Sequence, residues 1–145
     1  MKGRKDMAIN TSLSVGLMKF TFTDEDGDVF AHFRMNPADV KLHDRLKHVE
    51  DKLAELKKKF MDTEDTSETR HALNEAVEDL FCWVFGYNVK ESLFSFMSAT
   101  AILGDGEYFF EKILRVVADN AAPEIEKRAK QMQNRMGKYT GAYKS

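Results

Sequence analysis

The chain has 145 residues, of which 43% are hydrophobic and 11% aromatic; that supports one domain with a real core and excludes global disorder. A formal net charge of −2 and a pI near 6.1 give no overall drive toward nucleic acid or anionic membrane. A single cysteine excludes an internal disulfide and fits a reducing compartment. No apolar run has the length of a membrane span, and Met7 to Ser14 is too polar for the core of a secretory signal, so a cytoplasmic protein is expected.

Residues 1–12 read as a flexible arm. From Val15 to Thr23, Met18, Phe20 and Phe22 alternate with Lys19, Thr21 and Thr23, the pattern of a half-buried strand. Asp26-Gly27 marks a hairpin turn. Val29 to Met35 alternates again, with Val29, Ala31, Phe33 and Met35 on one face and Phe30, His32 and Arg34 on the other. A lone hairpin is marginal in water, so its apolar face must rest on other elements.

Asn36 is a preferred N-cap, Pro37 suits the first helical position, and Asp39 sits where a capping box places its acid. A helix of roughly 36 Å is therefore expected from Pro37 to Phe60. Along it Leu42, Leu46, Val49, Leu53, Leu56 and Phe60 recur at spacings of 4, 3, 4, 3 and 4, a heptad-like seam. That seam is either a face for a partner or oligomer, or the inner side of a helix pair within the monomer.

An acidic linker, Asp62 to Glu68, leads to a second helix capped by Thr66 or Ser67, with Leu73, Val77, Leu80, Phe81 and Val84 as its stripe and Gly86 at its end. Its last turn, Leu80 to Phe85, is apolar nearly all round and should lie in the centre of the domain. A short helix is expected from Val89 to Met97, then a loop from Ser98 to Gly106. A third long helix should start near Asp105 with Phe109, Ile113, Val116, Val117 and Ala121 as its stripe, and Pro123 should kink or restart it. Ile125, Ala129, Met132 and Met136 then continue at spacings of 4, 3 and 4, and Gly137 to Ser145 read as frayed. The fold class is α+β, mainly α: an N-terminal β-hairpin packed on a bundle of about three to four helices. Its parts are the arm 1–12, the body 13–123 and a basic amphipathic helix with tail, 124–145.

Asp24, Asp26 and Asp28 hint at a calcium loop, but the glycine comes fourth and Met35 occupies the twelfth position, so a solvated turn is the expectation. His32, His43, His48, His71 and Cys82 make no zinc spacing. Cys82, between Phe81 and Trp83, reads as a small core residue, not as a nucleophile. No phosphate loop, dinucleotide fingerprint or serine-nucleophile motif is present, so neither a cofactor nor enzymatic chemistry is expected. From Lys127 onward there are six basic residues and no acidic one, with Tyr139 and Tyr143 among them. This tail can be read as a nucleic-acid patch, as a solvated helix end, or as a basic helix whose Met-containing stripe pairs with another helix.

The order of a hairpin, Phe33-Arg-Met-Asn-Pro-Ala-Asp39, an amphipathic helix, an acidic linker, a helix ending in Phe85-Gly86 and a Phe-rich helix running into Ala122-Pro123 resembles the tail assembly chaperones of long-tailed bacteriophages of Gram-positive hosts. The resemblance runs over about residues 29 to 125. It implies a small, largely helical, non-enzymatic factor in the cytoplasm of the bacterial host. Such a factor binds the helical tape-measure protein, keeps it soluble and helps recruit tail-tube subunits; many are also made in a frameshift-extended form. The expected mechanism is reversible helix pairing, in which apolar stripes of this chain cover stripes on the tape measure. The candidate partner-binding residues are Ile125, Ala129, Met132 and Met136, and then Leu46, Val49, Leu53 and Leu56. A helical adaptor or homo-oligomeric structural subunit using the seam, and a nucleic-acid-binding regulator using the basic tail, stay open as alternatives.

Overall fold

The computed structural model describes residues 7–144. Among these residues an antiparallel hairpin, β1 (Met18–Thr23) and β2 (Val29–Met35), precedes four helices: α1 (Val40–Met61), α2 (Ser67–Phe85), α3 (Lys90–Phe94) and α4 (Phe109–Lys144). The molecule is therefore α+β and mainly helical. No helix of the described residues is long and apolar enough to cross a membrane.

The hairpin pairs Met18 with Met35, Phe20 with Phe33 and Phe22 with Ala31. Its turn is closed by Asp24, whose carboxylate accepts the N–H groups of Asp26 and Asp28, while Gly27 supplies a φ of +83°. Between Phe22 and Thr23 the register slips, so Thr23 faces Val29 and Phe30 becomes the extra residue of a bulge. Alternation alone puts Val29 inside and Phe30 outside. The bulge reverses this: Val29 is exposed, and Phe30 lies 5.8 Å from Phe109 and 5.4 Å from Phe96, ring centre to ring centre.

The junction into α1 also differs from the expected capping box. Asn36 Oδ1 accepts the Ala38 N–H at 3.0 Å and the Asn36 carbonyl accepts the Asp39 N–H at 3.1 Å, a turn with Pro37 buried in it. Asp39 is the N-cap, taking the Lys41 N–H at 3.0 Å, so the helix starts at Val40. His43 Nε2 reaches back to the Pro37 carbonyl at 2.6 Å and ties the turn to the first coil of α1.

Helix α2 has a full capping box between Thr66 and Thr69, and ends at Gly86 with φ +78°. Leu80, Phe81 and Val84 of its last turn are buried, and Cys82 is half-buried against the core with Sγ 3.6 Å from Asn88 Oδ1. Trp83 is the exception to the expected burial: it points at α1, where Lys52 Nζ lies 4.7 Å from the ring centre.

Helix α3 is shorter than the expected Val89–Met97. Beyond Phe94 the backbone turns to α2, where Glu78 Oε2 accepts the Ala99 N–H at 3.3 Å and Asn74 Oδ1 accepts the Thr100 N–H and hydroxyl, both at 3.1 Å. Asp105 and Gly106 belong to a tight turn, with Gly106 at φ +88° and a bridge between Ile102 and Tyr108, so α4 begins at Phe109 and not near Asp105.

Helix α4 runs unbroken through Pro123 for 36 residues, about 54 Å at 1.5 Å per residue. It does not restart at Pro123, and Gly137 to Lys144 belong to the helix. Proline removes the bond to the carbonyl four residues back, at Asp119; both residues are exposed, so water can take that carbonyl. Residues 1–6 of the arm, Ser145 and the side chains of the last turns, including Tyr139 and Tyr143, lie outside the described residues.

The core joins all these elements. Ala31, Phe33 and Met35 of β2, Val77 and Phe81 of α2, Val89 and Leu93 around α3, and Phe109, Ile113, Val117 and Ala121 of α4 form one cluster of buried side chains. Phe81, fully buried, contacts Phe85, Phe94 and Phe110 edge-on.

Candidate functional site

Two of the predicted apolar stripes meet. Helices α1 and α4 flank an open groove with two lobes that share Glu50, Leu114 and Ala118. One lobe, of about 620 Å³, is walled by Leu53 and Leu56 of α1, by Tyr108 just before α4 and Phe110 and Leu114 of α4, and floored by Val77 of α2. The other, of about 560 Å³, lies between Leu46 and Val49 of α1 and Val117, Ile125 and Ala129 of α4.

The seam of α1 thus does two jobs. Leu42 and Val49 are buried, while Leu46, Leu53 and Leu56 are half-buried, packing on the core with one side and lining the groove with the other. Ile125 and Ala129 are half-buried opposite them. Met132 and Met136 continue the same stripe beyond the groove and are exposed by 39% and 63%.

Reading the sequence missed the nearer wall of α4. The buried residues Phe109, Ile113, Val117 and Ala121 are one stripe; Phe110, Leu114 and Ala118, one position further on, are a second stripe that turns to the groove. The spacing of four was present in the sequence, but adjacent stripes on one helix are not separable until the core side is known.

Charges sit on the rim, not in the floor. Glu50, Lys57, Glu111 and Arg115 edge one lobe, and His43, Lys47, Glu50 and Glu126 the other. Arg115 grips the Glu107 carboxylate with both terminal nitrogens. That hydrogen-bonded pairing holds Glu107 below the usual carboxylate range and raises the Arg115 guanidinium. Asp105 is lowered first by the Glu107 backbone N–H and then by Lys112, whose ammonium is raised in turn by Asp105 and Glu107. This cluster fastens the 98–108 loop to α4 at the mouth of the larger lobe. In the basic segment, Arg128 pairs with Glu124 at 3.0 Å and Lys130 with Glu126 at 3.8 Å, so part of its charge is met within the helix.

The groove brings together apolar side chains at helical spacing, rimmed by charges of both signs. Among the described residues, no three His, Cys, Asp or Glu side chains converge on a metal-sized site. Such a surface suits the apolar face of an amphipathic helix. Comparison with family models, curated proteins and solved structures finds no match to this chain.

Proposed function

We propose that the chain is a non-enzymatic tail assembly chaperone of a long-tailed phage, working in the host cytoplasm. It covers apolar helix faces of the tape-measure protein and helps bring tail-tube subunits to it. The observation that carries this reading is the groove itself: the seam of α1 and the Ile125–Ala129 stripe of α4 form its two walls, and Met132 and Met136 extend the apolar face past its end. The motif order that resembles the phage chaperones supplies the identity of the partner.

Co-expression with a tape-measure protein from the same genome should raise the soluble fraction of that protein, and the two should co-purify at moderate salt. Met132→Asp with Met136→Asp should weaken the complex while leaving the far-UV circular dichroism and the unfolding midpoint nearly unchanged, since both side chains lie outside the core. No gain in solubility together with no capture would sink the proposal.

A further inference from the structure

Strand β1 is the unfinished side of the sheet. On the inward face of β2, Ala31, Phe33 and Met35 are only 1%, 3% and 4% exposed. Met18, Phe20 and Phe22 of β1 share that face but remain half-buried. Among the described residues the sheet has two strands, and β1 has no neighbour on its other side. Arg34 donates its backbone N–H away from β1, to Tyr87 Oη at 2.9 Å. Lys19 opposite Arg34, and Thr21 opposite His32 two residues along, therefore stand in the non-hydrogen-bonded positions of the ladder. Each points one N–H and one C=O outward, and no group among the described residues takes them. An edge of this kind is a template for another strand.

The segment before β1 has the pattern of the missing strand. Met7, Ile9, Thr11, Leu13, Val15 and Leu17 alternate with Ala8, Asn10, Ser12, Ser14 and Gly16. It is outside the regular elements, and Met7, Ile9 and Leu13 are exposed by 77%, 82% and 77%. Set antiparallel on β1 with Asn10 opposite Thr21 and Ser12 opposite Lys19, it fits in two respects. Its backbone groups at Asn10 and Ser12 meet the free ones of Thr21 and Lys19. Ile9 and Leu13 fall on the apolar face beside Phe22 and Met18, which that strand would cover.

The chain's own arm is not turned that way. In this register the link would be Val15-Gly16, and the tight hairpin turns that match strand twist need a positive φ at the first of the two. Only Gly16 has one, at +75°; Val15 does not. A Cβ on Gly16 would lie 2.7 Å from Arg128 Nη2, so the arm leaves β1 beside α4. We propose that the third strand is the 7–15 arm of a second copy, and that two chains exchange arms about a two-fold axis. The exchange uses the edge of β1 and leaves the α1/α4 groove open, so it stands apart from the partner proposed for that groove.

Light scattering of the full chain over a range of concentrations, with hydrogen exchange on the same samples, tests this. The expected result is a species of twice the 16.6 kDa chain mass, with slowly exchanging Lys19 and Thr21 amides. Ile9→Asp with Leu13→Asp, and separately Ser12→Pro, should give monomers with unchanged circular dichroism, in which those two amides exchange at least about tenfold faster. A wild-type chain that is monomeric throughout overturns the proposal, and slow exchange at Lys19 and Thr21 in that monomer would assign the strand to the chain's own arm. Variants that remain dimeric overturn it as well.

Discussion

Phe81→Ala is expected to lower the unfolding free energy by about 3–5 kcal/mol, a large part of the total for a domain of this size. The ring is fully buried on α2 and touches Phe85 of the same helix, Phe94 of α3 and Phe110 of α4. Its removal opens a space between three helices whose neighbours are themselves large rings locked against others, so local collapse cannot fill it. Urea unfolding followed by circular dichroism reads the effect as a fall in midpoint. A loss under about 1 kcal/mol would mean that the α2–α3–α4 contact is not the centre of the fold.

Ala118→Arg is expected to do the reverse, leaving stability within about 0.5 kcal/mol and abolishing partner capture. Ala118 is exposed on α4 and lines both lobes of the groove. A long cation there obstructs the waist between Leu114 and the α1 seam and puts charge where an apolar helix face would lie. Capture of the tape-measure protein should fall by at least about tenfold, which corresponds to 1.4 kcal/mol. Equal capture by the variant would place the binding surface elsewhere, with Met132 and Met136 the next surface to test.

Much of this architecture is legible in the sequence because the signals are local. Alternation from Met18 to Phe22 and the Asp26-Gly27 turn specify the hairpin, and the spacing of Leu42, Leu46, Val49, Leu53 and Leu56 specifies α1. Where the readings fail, longer-range packing decides. Phe30 moves to the core because a bulge shifts the register so that it meets Phe109, which no pattern within β2 reports. The Asn36-Pro37-Ala38-Asp39 box satisfies two capping schemes; burial of Pro37 selects the one with Asp39 as the cap. Pro123 is tolerated where it and Asp119, whose carbonyl it deprives, are both exposed residues, a fact about the surroundings of α4 and not about its sequence.

The groove follows the same division. Leu46, Val49, Leu53, Leu56, Ile125 and Ala129 were identifiable as stripes, since each recurs at helical spacing. That the two stripes face each other across one groove depends on how α4 lies along α1 and α2. Leu114 and Ala118 were invisible for that reason: their side of α4 is defined only by which other side is buried.

The most direct test of the central claim is a methyl-resolved NMR titration of the labelled protein with an amphipathic helical fragment of the tape-measure protein. The account predicts that the methyl groups of Leu46, Leu53, Leu56, Leu114 and Ile125 shift together and saturate at one midpoint, while those of the buried Leu93 and Ile113 stay in place. No shifts at saturating fragment, or shifts confined to residues away from α1 and α4, would contradict it.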